Sequence, residues 1–135
     1  MDRAFFIEDS YGVDDHNNEK LKIIVSVPYE KKVPSIPVFR IGSIQLIEWD
    51  YFGFEGNPEV IIDVFYIFPT LPNPSYISIW PNHKIAKLQD ESIKFEIGSK
   101  YFQTGKQYIA KVFLKDKAEI SGTSEPFMVC EICLY

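Results

Sequence analysis

The residue types that carry most protein chemistry are sparse in this chain of 135 residues. Its two cysteines, Cys130 and Cys133, form one C-x-x-C in the stretch VCEICLY, and its two histidines are His16 and His83. A structural zinc site needs four ligands, and both histidines sit in polar or turn-like surroundings far from the cysteines. A redox use of C-x-x-C expects a β-α-β context, which the sequence does not offer. If this segment is a strand, residues three apart point to opposite faces, so a disulfide inside the motif needs a local bend. The pair is read as structural or free thiols. Both lie on one segment, which excludes a cross-sheet disulfide of the antibody type.

Carboxylates offer the next chemistry. Glu48 and Asp50 alternate along IQLIEWDY. On a strand they share a face about 7 Å apart, inside the range of about 5–10 Å spanned by glycosidase pairs. Strands also carry outward acids simply as solvated faces or edge protection. A small hydrolase built on Glu48, Asp50 or His83 would require those groups to converge in one cleft with perturbed pKa values. No G-x-S-x-G, H-E-x-x-H or phosphate-cradling glycine loop accompanies them. The expectation is therefore no enzyme, no catalytic residue and no cofactor. Glu8, Asp9, Asp14 and Asp15 cluster near the start, but their spacing matches no calcium loop, so no metal is assigned. Asp63 interrupts an apolar run; a buried Asp there must be hydrogen-bonded or paired, with an adjacent cation or an edge position the expected solution.

Aromatic residues in connections are the better lead. Tyr51, Phe52 and Phe54 crowd one turn, and Tyr76 and Trp80 lie in others, with Tyr101 and Phe102 as further candidates. Flat rings in loops stack on sugar rings or anchor a partner protein. The competing use is to plug the ends of a core. Trp49 is expected in the core itself.

The elements that must position these residues read as strands. Leu21–Val27 is apolar and alternating. A segment with Pro28, Pro34 and Pro37 follows, at best an edge strand because proline cannot donate to a ladder. Ile44–Tyr51 places Ile47, Trp49 and Tyr51 on one face. Glu59–Ile67 is almost wholly apolar, the pattern of a central strand covered on both faces. Tyr76–Leu88 holds one or two short strands around Pro81-Asn82. Ser92–Ile97 alternates, with Ile93, Phe95 and Ile97 inward. Gly98–Gly105 allows a brief helical turn. Gln107–Leu114 turns Tyr108, Ala110, Val112 and Leu114 to one side, and the last strand runs from about Glu125 to Leu134. The expected core is Ile23, Val25, Ile47, Trp49, Ile62, Val64, Ile93, Phe95, Tyr108, Ala110, Val112, Phe127 and Val129.

Short strands with frequent turn signals argue for an all-β, immunoglobulin-like sandwich of about seven to nine antiparallel strands in two sheets. Tyr108, just after a glycine-containing corner, is placed to form a tyrosine corner, its hydroxyl bonding back to nearby backbone. The domain spans 21–135 behind a polar N-terminal arm, 1–20. One domain of this length buries roughly two-thirds of its unfolded surface, enough for a core without staples. A net charge of −5 disfavours nucleic acid as a partner. No run approaches the roughly 18 apolar residues of a membrane span. Ala4-Phe5-Phe6-Ile7 is too short for a secretory leader, so the first residues lead one to expect a chain that stays inside the cell or has lost its leader.

Several segments, taken in order, resemble the Ig-like domains of the Ser-Thr-rich, GPI-anchored fungal cell-wall family. They are Gly42-Ser43 with Ile47-x-Trp49; Val60-Ile61-Ile62-Asp63-Val64; Ser92–Ile97; Gly105-Lys106-Gln107-Tyr108-Ile109-Ala110-Lys111-Val112; and Ser121-Gly122-Thr123-Ser124-Glu125-Pro126-Phe127-Met128-Val129. The likeness covers about Val33–Val129. It departs from that family in aromatic insertions around Phe52 and Leu71, and the family's secretion signal, Ser/Thr-rich stalk and hydrophobic tail do not accompany it. The resemblance implies an extracellular, non-enzymatic module associated with wall polysaccharide. The resulting expectation is a recognition or structural module whose partner is a polysaccharide or a protein, with Tyr51, Phe52, Phe54, Tyr76 and Trp80 as ligand-binding candidates. Its rival is a protein-binding or self-associating module of an intracellular protein.

Overall fold

The computed structural model describes residues 21–29 and 36–133. The arm 1–20, with its acidic cluster and His16, lies outside them, as does Pro34. Ten strands form among the described residues: β1 (Lys22–Ser26), β2 (Val38–Arg40), β3 (Ile44–Phe52), β4 (Glu59–Phe68), β5 (Ser75–Ser78), β6 (Lys84–Lys87), β7 (Ser92–Glu96), β8 (Gln107–Leu114), β9 (Ser121–Thr123) and β10 (Phe127–Cys130). They make two sheets. The smaller has the order β1-β3-β7; the larger has the order β2-β10-β8-β4-β5, with β6 also on β4 and β9 also on β8. Thus β5 and β6 share one flank of β4, and β9 and β10 share one flank of β8.

The pairing is antiparallel except at β2, which runs parallel to β10. That corrects the expectation of wholly antiparallel sheets, and the strand number exceeds the expected seven to nine. The physical reason is that these pairings are non-local. The stretch after Pro37 and the stretch 121–130 are too short and too interrupted by Pro and Gly to show a period. Strands of three or four residues form there only because a neighbour accepts them. Ser124 breaks the last stretch in two: its Oγ accepts the Ala110 N–H at 2.9 Å and donates to the Glu125 carbonyl at 2.9 Å.

Alternation decides what each sheet buries. In β3, Ile47 and Trp49 are buried and Asp50 is exposed; in β8, Tyr108, Ala110, Val112 and Leu114 face inward. The expected core is buried as read, except Ile93, which is half-buried because β7 is an edge of the three-stranded sheet. Leu88, Ile97 and Phe102 are also fully buried. Leu88 belongs to a 3-10 turn, Leu88–Asp90, whose first carbonyl accepts the Trp49 indole N–H at 2.7 Å. The turn thereby satisfies the one polar group that Trp49 takes into the core.

Tyr108 is buried, and its hydroxyl accepts the Gln103 backbone N–H at 2.8 Å. Burial pushes the Tyr108 phenol above its usual pKa, partly offset by that hydrogen bond. Asp63 is half-buried on central β4, not at an edge. It accepts hydrogen bonds from Ser78 Oγ at 3.0 Å and from the Val64 N–H at 2.9 Å, and it stands opposite Lys111 in the ladder.

Candidate ligand-binding cleft

Two connections at one end of the sandwich build the main cleft. The first leads from β5 to β6. Ile79 N–H bonds to the Val64 carbonyl at 3.0 Å, anchoring the chain as it leaves the sheet edge. Pro81-Asn82 then reverses it. Trp80, just before the reversal, is half-buried, with its ring edge-on to Phe95 at a centroid distance of 6.1 Å. Lys84, on the far side of the turn, holds its ammonium 5.2 Å from the centre of the Trp80 ring, a cation–π contact.

The second connection is the corner after β7. The Gly98 carbonyl accepts the N–H groups of Tyr101 at 3.1 Å and Phe102 at 3.0 Å, a single helical turn. The sequence allows that turn, and it offers Phe102 either as a loop ring for binding or as a plug for the core. Phe102 is a core residue, 4.8 Å from the Tyr108 ring and within 6.4 Å of Phe127. Phe102 pins the corner, so that Tyr101 stays half-buried at the mouth of the cleft. Lys100 lies over the Tyr101 ring at 5.6 Å.

Between these connections is a hollow of about 560 Å³, within the usual size of a small-ligand site. Trp80 and Tyr101 are its half-buried aromatic surfaces, and the buried Phe95 also lines it. Asn82 and Ser99 supply neutral hydrogen-bonding groups, Lys84 and Lys100 donors, and Glu96 an acceptor. Aromatic carbon beside mixed donors and acceptors is chemistry that a polyhydroxylated ring can use, its hydroxyls meeting the rim groups and its apolar face reaching the two rings once Lys84 and Lys100, which lie over them, swing aside.

The other aromatic candidates lie elsewhere. Tyr51 and Phe54 are half-buried and meet edge-to-face at 6.3 Å, closing the core beside the β3–β4 turn. Phe52 is 52% exposed and Tyr76 54% exposed, and neither lines the cleft. Tyr51 and Phe52 stand at the opposite end of β3 from Ile44, which pairs with Glu96 of the cleft. At strand rise that is a separation of about 25 Å. Trp80 is thus joined by Tyr101 and not by the β3–β4 group. Lys84 and Lys100 carried no signal in the sequence, because their role depends on two connections being brought side by side.

The carboxylates have their own hollow. Glu48 and Asp50 line a cleft of about 340 Å³ with Asp90 and Glu91, and His83 is not among its walls. Asp90 accepts the Lys87 N–H at 2.9 Å and so is engaged in the 3-10 turn. Among the described residues no group of three or more His, Cys, Asp and Glu side chains is arranged to hold a metal ion, and no helix is long and apolar enough to cross a membrane. Cys130 and Cys133 form a disulfide, with Cα atoms 5.5 Å apart. This corrects the reading as thiols. β10 ends at Cys130 and the chain bends at Glu131–Ile132, which supplies the turn that a continuous strand would deny.

No family model matches the chain, and no curated protein matches it.

Proposed function

We propose that this chain is a non-catalytic recognition module of immunoglobulin-like type that binds carbohydrate in the Trp80–Tyr101 cleft. The observation that carries the reading is the pairing of two half-buried aromatic rings with neutral and charged hydrogen-bonding groups in one hollow. The bond from Gln103 N–H to Tyr108 supports the immunoglobulin-like assignment, because that hydroxyl-to-backbone contact at a corner is the one expected of such sandwiches. The ordered resemblance to the fungal cell-wall domains supports a polysaccharide as the ligand and an extracellular setting. The carboxylates of Glu48 and Asp50 fit a solvated strand face better than a reaction, since the cleft they line lacks His83.

A binding screen over glycans and polysaccharides tests the proposal. Binding that soluble sugar competes away, and that Trp80→Ala and Tyr101→Ala each weaken at least tenfold, supports it. Absence of binding with the protein folded turns the reading to a protein partner. The observation that favours this second reading is the apolar outer face of the larger sheet.

A further inference from the structure

The run Glu59–Phe68 has the composition of a strand buried on both faces, yet among the described residues only one face of β4 is covered. Val60, Ile62 and Val64 enter the core; Ile61, Phe65 and Ile67 point the other way and are half-exposed. The register puts Ile109 of β8 opposite Phe65 and Phe113 opposite Ile61, both also half-exposed. Tyr76 of β5 stands beside Ile67, and Ile85 of β6 beside Ile61; each is 54% exposed. These side chains make one continuous apolar face, of a size that on a soluble domain marks an interaction surface.

We propose that this face is where a second copy of the chain docks, sheet against sheet. Two features select that occupant. The first is charge. The apolar field is crossed at its middle by Asp63 and Lys111, opposite each other in the ladder, and it ends at Glu59, which stands opposite Lys87 and pairs with Lys115. Acid and base thus stand side by side, and the face is self-complementary at its centre: a two-fold axis between Asp63 and Lys111 brings Asp63 of each copy to Lys111 of the other. A chain of net charge −5 can then meet its own kind with opposite charges, not like ones, at the centre of the contact. The second is area. Strand rise over β4 multiplied by four strand spacings, the fourth being the polar edge of Ser121 and Thr123 on β9 that would serve as rim, gives roughly 600 Å² per copy. Roughly 1,200 Å² in the pair reaches the lower bound of stable specific interfaces. Lys84, beside the cleft, pairs in register with Ile62 of the core-facing set, so docking on the outer face leaves the Trp80 cleft open in both copies. The pair would therefore present two clefts to one polymer and gain from their linkage.

Sedimentation of the full chain over a concentration series tests this, with Asp63→Lys and Lys111→Glu made separately. The expected result is a dimer for the parent chain, at least tenfold weaker association for each variant alone, and recovery of a dimer when the two are mixed in equal amounts. Recovery on mixing also shows that both variants are folded. A parent chain that stays monomeric, with the face then bare or covered by the chain's own remaining residues, overturns the proposal. So does a dimer that neither variant weakens, because it must use another surface. Circular dichroism separates a variant that has lost its fold; in that case Phe113→Ser takes its place, with the same expectation of weakened association.

Discussion

Trp80 meets Phe95 edge-on, with ring centroids 6.1 Å apart and planes at 68°. The half-buried indole thus touches the core through Phe95 and also lines the cleft, with Lys84 over its ring. Removal of Trp80 should cost both stability and binding. Trp80→Ala is expected to lose about 2 kcal/mol of unfolding free energy, less than a fully buried aromatic because half the ring is exposed. Tyr101→Ala should lose about 1 kcal/mol. Urea denaturation of both variants checks this, and equal losses would mean that Trp80 does not share the core.

Ser124 replaces a missing piece of ladder between β9 and β10. Its N–H bonds to the Ala110 carbonyl and its Oγ takes the Ala110 N–H. Ser124→Ala should leave that buried N–H without a partner, a loss of about 1–3 kcal/mol. Ser124→Thr keeps the hydroxyl and should recover part of it. Thermal unfolding of the two variants gives the comparison.

Gly122 sits where β9 of the larger sheet crosses β1 of the smaller. A Cβ there would collide with the Ile23 carbonyl, backbone that cannot turn aside as a side chain could. Gly122→Ala should force the two strands apart and lose about 3 kcal/mol, the upper range for overpacking. A thermal midpoint equal to the parent's would mean that the strands are not held so closely.

The Tyr108 phenol titrates above its usual value because it is buried. A raised folded-state pKa means that the folded chain holds the proton more tightly than the unfolded one. The stability this contributes is complete below the unfolded pKa of about 10 and is lost as pH rises through the higher folded value. Chemical denaturation from pH 8 to 11.5 should show stability falling above about pH 10. Tyr108→Phe should be less stable at neutral pH by about 0.5–1.5 kcal/mol, because the Gln103 N–H loses its acceptor at a part-buried position, and should have a shallower alkaline limb.

Alternation made the central strands legible. Ile47 and Trp49 of β3, and Tyr108, Ala110 and Val112 of β8, declare their face through a period of two against Glu48, Asp50 and Lys111. Period says nothing of position in a sheet, so Ile93 reads as core although its strand is an edge. β4 is the opposite case: with apolar residues on both faces, its sequence implied a second cover that the described residues do not supply. The parallel pairing of β2 with β10 and the burial of Leu88 depend on non-local contacts among segments too short to carry a pattern. The same holds for the cleft. Trp80 is visible in the sequence as a loop aromatic, whereas its partnership with Tyr101 exists only once Phe102 has fixed the corner after β7.

The chain has two tryptophans. Trp49 is buried and bonded to the Leu88 carbonyl, and Trp80 lines the cleft. Quenching of tryptophan fluorescence by acrylamide, with and without a polysaccharide from the binding screen, therefore tests the central claim most directly. A bound glycan should shield the accessible tryptophan, and the shielding should vanish in Trp80→Phe. A glycan that binds while quenching is unchanged, or the failure of every glycan to bind the folded protein, would contradict carbohydrate recognition in this cleft.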